Sequence, residues 1–384
     1  MPHKKTPYWR LSGFYFFYFA SLGVLVPYWG LYLQWEGFSA QEIGELTAIL
    51  LATRIVAPNI WGWIADHRGQ RMSIVRLASL VGAIAFSAIL FSNSYLWIAI
   101  VLFVFSFFWN ASLPQFEATT LQHLGEHSHH YSKIRLWGSV GFIVIVVGLG
   151  VLLEYYDASI VPYVMLLSLF AIWLVSLTVP ESSSRHLSLD HQPLLAILKR
   201  PEVIAFLSIC VLVQISHGPY YTFYTIYLEQ HGYSRSLIGQ LWALGVVAEI
   251  IVFLFMHHWL PRFGLRLVLL VSLLLSTLRW LIIGFYPDSM TLLLFAQCLH
   301  AASFGSFHAA AITWIHHYFI GKNQGRGQAL YSSIGFGVGG AIGSLLSGYF
   351  WLSPGPTATF SMAALATLIA FFIGLRWLKD PQTN

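Results

Sequence analysis

The chain carries the same text twice. Residues 21–73 and 216–268 match at an offset of 195: Ser21 and Gly23 return as Ser216 and Gly218, Gly37 as Gly232, and Ser39, Ile43, Gly44 and Leu46 as Ser234, Ile238, Gly239 and Leu241. Further on, Leu136–Phe142 returns as Leu330–Phe336 at offset 194. In an apolar chain, a half-length repeat implies two like bundles around a central site. That layout suits a protein that moves something across a membrane.

Composition agrees. Of 384 residues, 57% are hydrophobic and 9% charged, against about 25% charged in a soluble domain. Apolar stretches of about 20 residues, the length a helix needs to cross a bilayer, recur throughout. The pattern predicts an all-α polytopic membrane protein with twelve spans, at 11–34, 40–64, 72–91, 95–121, 135–153, 160–179, 203–228, 236–257, 267–286, 290–318, 329–351 and 357–377. No cleavable signal peptide is expected, because the short basic start runs directly into the first apolar segment. Cys210 and Cys298 lie in apolar segments and read as packing residues.

The formal charge of +5 could suit nucleic acid, but its distribution excludes that reading. Lys and Arg fall in alternate loops: Lys4, Lys5 and Arg10; Arg68 and Arg71; Lys133; Arg185, Lys199 and Arg200; Arg262 and Arg266; Lys322 and Arg326; Lys379. The opposite loops hold Arg235 with Glu36, Glu154, Asp157, Glu229 and Asp288. This asymmetry puts both termini in the cytoplasm. Glu181–Arg200, with Ser182, Ser183 and Ser184, is polar and lacks an apolar period. It reads as a cytoplasmic linker (181–200) between an N-terminal bundle (1–180) and a C-terminal bundle (201–384), each of six helices.

Charges within the spans carry the most information, because a charge in the bilayer core is costly and faces a cavity or a partner. Five stand out: Arg54, Glu117, Arg135, Glu249 and Arg279. Arg54 and Glu249 occupy equivalent repeat positions with opposite sign, and Glu117 and Arg135 flank one loop and could pair. The plain alternative for each is a structural ion pair. His217, His300 and His308 also fall in spans, and histidine titrates near neutral pH. His300 and His308 are eight residues apart, roughly on one helix face; each equally suits a hydrogen-bonded core position. Tyr220, Tyr221, Phe223 and Tyr224 offer rings and hydroxyls for an aromatic ligand, or for packing. The loop histidines His123, His127, His129 and His130 have no cysteine beside them and read as a solvated tract, so no metal site is expected. No phosphate-binding loop, dinucleotide fingerprint or nucleophile elbow occurs in a suitable context. Neither enzymatic activity nor direct use of ATP is expected. Gly335, Gly337, Gly339, Gly340 and Gly343 suit close helix packing.

The stretch Gly62-Trp-Ile-Ala-Asp66-His-Arg68-Gly69-Gln-Arg71 resembles the signature loop of the major facilitator superfamily, with His67 and Arg68 straddling the usual basic position. Physically, Gly62 would let helices approach, Gly69 would permit a tight turn, and Asp66 could pair with a cation at a neighbouring helix end. In the second half, Pro261 replaces the acid. Over its full length the chain is similar to that superfamily, within it to the lactose-permease-like group, and most to the phenylpropionate permease family. Pro114–Glu117, Arg135–Phe142, Trp242–Glu249, Leu299-His300, Arg279, Arg54 and His217 carry the likeness. The resemblance implies that Glu117 and Arg135 contact substrate, and that Glu249, Arg279 and His300 couple transport to a proton. Two positions depart from the group: Ser303 replaces an acid, and Phe142 replaces a sugar-stacking tryptophan. The first leaves Glu249 as the protonatable group, and the second weakens a sugar reading.

The reading that results is a proton-coupled symporter of a small aromatic carboxylic acid in a bacterial inner membrane. It is expected to be monomeric, with no cofactor besides the coupling proton and no partners besides substrate and lipid. Arg135 or Arg54 would bind the carboxylate; Tyr220, Tyr221, Tyr224, Phe142 and His217 would surround the ring. His308 would join the proton-coupling set. The rivals are a sugar or nucleoside symporter, a drug or metabolite antiporter, and a membrane sensor without transport.

Overall fold

The computed structural model describes residues 6–181, 194–320 and 323–380. It is built of helices, as a bilayer demands, because a helix satisfies its backbone polar groups internally. The N-terminal bundle comprises α1 (Tyr8–Trp35), α2 (Ala40–Arg68), α3 (Arg71–Ser87), α4 (Tyr95–Leu124), α5 (Tyr131–Tyr155) and α6 (Val161–Thr178). The C-terminal bundle comprises α7 (Pro201–Gln230), α8 (Arg235–Phe263), α9 (Leu265–Phe285), α10 (Met290–Tyr318), α11 (Asn323–Leu352) and α12 (Pro356–Trp377). Among the described residues, eleven helical runs are long and apolar enough to cross a membrane; one of them, Tyr95–Leu152, covers α4 and most of α5, which makes twelve spans. Large apolar side chains such as Phe103, Leu167 and Phe372 are exposed on the outside, where lipid would cover them.

The repeated residues mark the corners of the fold. Gly37 and Gly232 both take positive φ, +92° and +80°, which glycine alone adopts without strain. Two residues on, Ser39 and Ser234 cap the next helix: Ser39 accepts from the Glu42 amide at 3.3 Å and Ser234 from the Leu237 amide at 3.3 Å. Glu42 completes the first cap by accepting from the Ser39 amide at 2.8 Å. The repeat thus fixes the α1–α2 and α7–α8 turns identically.

The bundles meet along α2–α11, α5–α8 and α1–α7. Their backbones come closest at the end remote from the termini, here called distal. A methyl group on Gly44 would lie 2.7 Å from both the Gly348 Cα and the Ser344 carbonyl oxygen. On the opposite flank, a methyl on Gly239 would lie 2.6 Å from the Val146 carbonyl oxygen. Hydrogen bonds cross both seams: Tyr349 donates to Glu45 at 3.0 Å, and the Ser236 amide donates to Glu154 at 2.7 Å. One apolar core runs from the N-terminal bundle into the distal half of the C-terminal bundle, through Tyr224, Tyr227, Trp351 and Phe360. Nearer the termini, the C-terminal bundle has a separate core around Phe206, Trp314 and Tyr318. The bundles are joined at one end and individually packed at the other.

Three details differ from the sequence reading. The polar linker contains a short helix, Leu194–Leu198, whose Ile197 enters the C-terminal core; residues 182–193 lie outside the described set. Cys298 is exposed on the helix surface while Cys210 is buried, so only Cys210 is a core packing residue. Helices α10 and α11 each contain a π-helical stretch, Ala301–Ser306 and Tyr331–Gly339. Hydrophobic periodicity does not reveal such wide turns, which often sit at functional sites.

Candidate transport site

Midway along the interface, the N-terminal bundle presents two cations that have no ion-pair partner among the described residues. Arg54 on α2 lies with its guanidinium 5.2 Å from the ring centroid of Phe336 on α11. Arg135 on α5 sits 3.7 Å from the Phe19 centroid and 5.7 Å from that of Tyr15. Among the described residues the ion pairs are Arg71–Asp66 and Arg235–Glu229, and the imidazole of His300 faces Glu249. Neither Arg54 nor Arg135 therefore has a carboxylate within 4.0 Å. This corrects the expected Glu117–Arg135 pair. Glu117 instead accepts from the Tyr131 hydroxyl at 3.2 Å, while Arg135 is held over aromatic faces, which attract a guanidinium without neutralising it. On α1, one residue before Phe19, Tyr18 stacks on Trp109 at 4.9 Å.

The C-terminal bundle holds a different arrangement. Arg279 on α9 is completely buried. Its Nε donates to the Ala296 carbonyl at 3.0 Å, and its Nη1 faces His300 Nδ1 at 3.0 Å and Ser303 Oγ at 2.9 Å. Nη2 has no hydrogen-bond partner among the described residues, and the guanidinium lies 4.2 Å from the Tyr220 centroid and 4.6 Å from that of Trp280. A guanidinium only donates, so His300 Nδ1 must accept and the imidazole proton belongs on Nε2. That Nε2 is 3.6 Å from Glu249 Oε2. The result is a chain, Arg279–His300–Glu249, in which an interposed imidazole separates the two charges. Ser303, standing where the resemblance implies an acid, steadies the arginine and adds no negative charge. Small residues allow the close approach: Gly245 abuts Gln297 and His300, and a methyl on Gly305 would lie 3.2 Å from Glu249 Cγ.

The expected aromatic wall divides. Tyr220 and Tyr224, one helical turn apart, share a face turned into the C-terminal bundle, where both bond to Gln297: Tyr220 donates to Oε1 at 2.9 Å, and Nε2 donates to Tyr224 at 2.5 Å. They pack behind Arg279 and do not wall the interface. His217 is fully buried as well, with Nδ1 2.7 Å from the Val213 carbonyl and its ring 5.0 Å from Trp280. Tyr221, turned about 100° away by the helical step, keeps its side chain partly accessible. Phe142 is buried where α5 crosses α1, its carbonyl against Gly23. His308 is partly accessible and lies with Nδ1 2.9 Å from the Tyr331 hydroxyl.

In the signature loop, Asp66 pairs with Arg71. Arg71 also donates to Gln115 Oε1 at 2.6 Å, two residues before Glu117 on α4. Gly69 has φ +67°, as a tight turn requires, and Arg68 is exposed. Gly62 meets only the Gln115 side chain, at an ordinary 3.6 Å, so close helix approach is not its role here. In the second half, where Pro261 stands in place of the acid, Asp380 accepts from the Arg266 amide at 2.7 Å, much as Glu181 accepts from the Met72 amide at 3.1 Å in the first half. Sequence reasoning missed Phe19, Phe336, Tyr131, Gln297 and Tyr331. An isolated aromatic or amide in an apolar span gives no periodic signal.

Two pseudo-symmetric six-helix bundles with charges at their shared midplane define a secondary transporter. The family model for the MFS_1 like family matches residues 8–362, and the chain belongs to that family. It is 30% identical over 379 residues to the probable 3-phenylpropionic acid transporter of Escherichia coli (strain K12), covering 95% of this chain and 96% of that one. Identity to the maltose permease of Geobacillus stearothermophilus is 24%, over 96% of this chain and 94% of the relative. The crystal structure of a point mutant of the nucleoside transporter NupG superposes with a TM-score of 0.86 at 16% identity, over 97% of this chain and 100% of that one. The protein is a multi-pass membrane transporter and not an enzyme.

Proposed function

We propose that the protein carries a small aromatic carboxylate together with a proton by alternating access of the site between its two bundles. One observation carries the reading: the interface gathers three arginines, Arg54, Arg135 and Arg279, against two carboxylates, Glu117 and Glu249, and the two N-terminal arginines have no ion-pair partner among the described residues. A site with surplus positive charge favours an anion, and a guanidinium suits a carboxylate in two-point contact. Phe19 and Phe336 offer ring faces beside those cations. The probable 3-phenylpropionic acid transporter among the relatives supports this substrate class. Glu249 takes the proton: once neutral, it leaves Arg279 uncompensated and the site more receptive to an anion. The alternation of basic loops supports cytoplasmic termini, and the bacterial relatives support an inner-membrane location. The chain works as a monomer with no cofactor.

The test is uptake of labelled 3-phenylpropionate into liposomes carrying the purified protein, with and without an inward proton gradient. Accumulation only with the gradient is expected; equal uptake in both conditions would sink the coupling. A nucleoside or sugar is the second reading, favoured by Glu117, whose hydrogen bond to Tyr131 leaves acceptor capacity for hydroxyls, and by the fold shared with a nucleoside transporter. Competition by a nucleoside in the same assay would move the assignment there.

A further inference from the structure

We propose that His308, with the Tyr331 hydroxyl, is the outlet through which Glu249 loses its proton toward the end of the molecule that carries the termini; this rests on the proton-coupled reading above. His300, Phe304 and His308 form a ladder along α10, with ring centroids 5.6 and 5.7 Å apart and planes within 10° and 1° of parallel. Glu249 packs onto α10 at Gly305, between the two histidines. Its carboxylate lies 3.6 Å from His300, and Gly305, which Glu249 abuts, stands three residues before His308.

The two histidines are not equivalent. His300 Nδ1 is occupied by a guanidinium that can only donate. A second proton on that ring would break the contact and set imidazolium against Arg279. His308 Nδ1 faces a hydroxyl at 2.9 Å, and a hydroxyl both donates and accepts. His308 can therefore be neutral in either tautomer or singly charged without losing its partner. It also lies on the side of Glu249 nearer Tyr318, the helix end beside the termini, and its side chain is partly accessible.

The steps balance. Glu249 gives its proton to His308 Nε2, directly or through one water, leaving carboxylate and imidazolium. The imidazolium then releases its Nδ1 proton to water by way of the Tyr331 hydroxyl, which turns to donate to the bare Nδ1; the ring is left protonated on Nε2, and exchange with water, one proton taken up at Nδ1 and one released from Nε2, restores the starting tautomer. The charged groups facing His308 are Glu249 on α8, Tyr331 on α11 and Arg135 on α5. Arg54 on α2 sits over Phe336, whose ring is 6.3 Å from His308, and Tyr221 on α7 acts on Tyr331. Arg135 opposes the imidazolium, so His308 passes the proton on and does not store it.

The test separates proton release from the rest of the cycle. Full-length protein in liposomes is assayed for net efflux of labelled 3-phenylpropionate, which requires deprotonation, and for equilibrium exchange, which does not. For His308→Gln the ratio of net efflux to exchange should drop about tenfold or more, as expected when a proton-transfer group is lost; Tyr331→Phe should lower it less. An unaltered ratio, or equal loss of both fluxes, would overturn the outlet. A substrate-free measurement covers the case in which the ligand is different. After an alkaline pH jump, the infrared band of a protonated carboxyl, assigned by its loss in Glu249→Gln, should decay more slowly in His308→Gln. Unaltered decay overturns the outlet alone, whereas absence of the band in the parent protein overturns the coupling role of Glu249.

Discussion

Positions 54 and 249 are the same place in two copies of one bundle, and they have become opposites. Arg54 lies against an aromatic ring of the other bundle with no counter-ion among the described residues. Glu249 belongs to a chain through His300 to a buried arginine. The N-terminal half keeps its charges available, and the C-terminal half keeps its own internally compensated. Unpaired cations are suited to capturing something that arrives. A compensated chain is suited to switching when one member gains or loses a proton. On the proposed reading, the duplicated fold separates recognition from coupling.

That division can be broken by mutation. The largest effect is expected from Glu249→Gln: accumulation against a gradient should fall by about a hundredfold or more, as for loss of a proton-transfer group, and the pH dependence of uptake should flatten. Full pH-driven accumulation in this variant would end the assignment. Next comes Arg135→Ala, which should weaken anion uptake by about ten- to a hundredfold, mainly through KM, since it removes a charge-assisted contact. If instead coupling were lost and KM kept, the division between halves would be wrong. Gly44→Leu should slow turnover about tenfold or more by forcing apart backbones with no room for a side chain. Cysteine pairs across α2 and α11, assayed for cross-linking, would report the separation. The smallest effect is expected from Phe336→Leu, which removes a cation–π contact worth about 1 kcal/mol and should raise KM about fivefold without altering the pH profile.

Much of this was legible before the structure. The offset repeat pointed to the two bundles, and its recurring residues proved to be the Gly37–Ser39 and Gly232–Ser234 corners. Charges in apolar spans marked Arg54, Glu117, Arg135, Glu249 and Arg279, because the bilayer makes each of them conspicuous. What they touch was not legible. Whether Arg135 meets Glu117 or Phe19 depends on rotamers and on the competing hydroxyl of Tyr131, which spacing does not encode. Tyr220 and Tyr224 were assigned to a ligand wall because a dense aromatic run says nothing about which way its helix faces. The acid that serves Arg266 was invisible for a simpler reason: Asp380 lies 114 positions further along the chain.

The glycine seams have a mechanical consequence. Where Gly44 meets Gly348, and where Gly239 meets the α5 backbone, main chains touch with few side chains between them. Such surfaces can roll over one another without first extracting interlocked residues. Because the seams flank the duplicated fold in matching positions, they are suited to act as paired bearings, and the resistance to opening falls on the shared distal core and on the hydrogen bonds beside the seams, at Glu45, Glu154 and Arg235. On the proposed alternating-access reading, a shift in cargo or proton occupancy at the midplane has to offset those contacts to turn one bundle against the other.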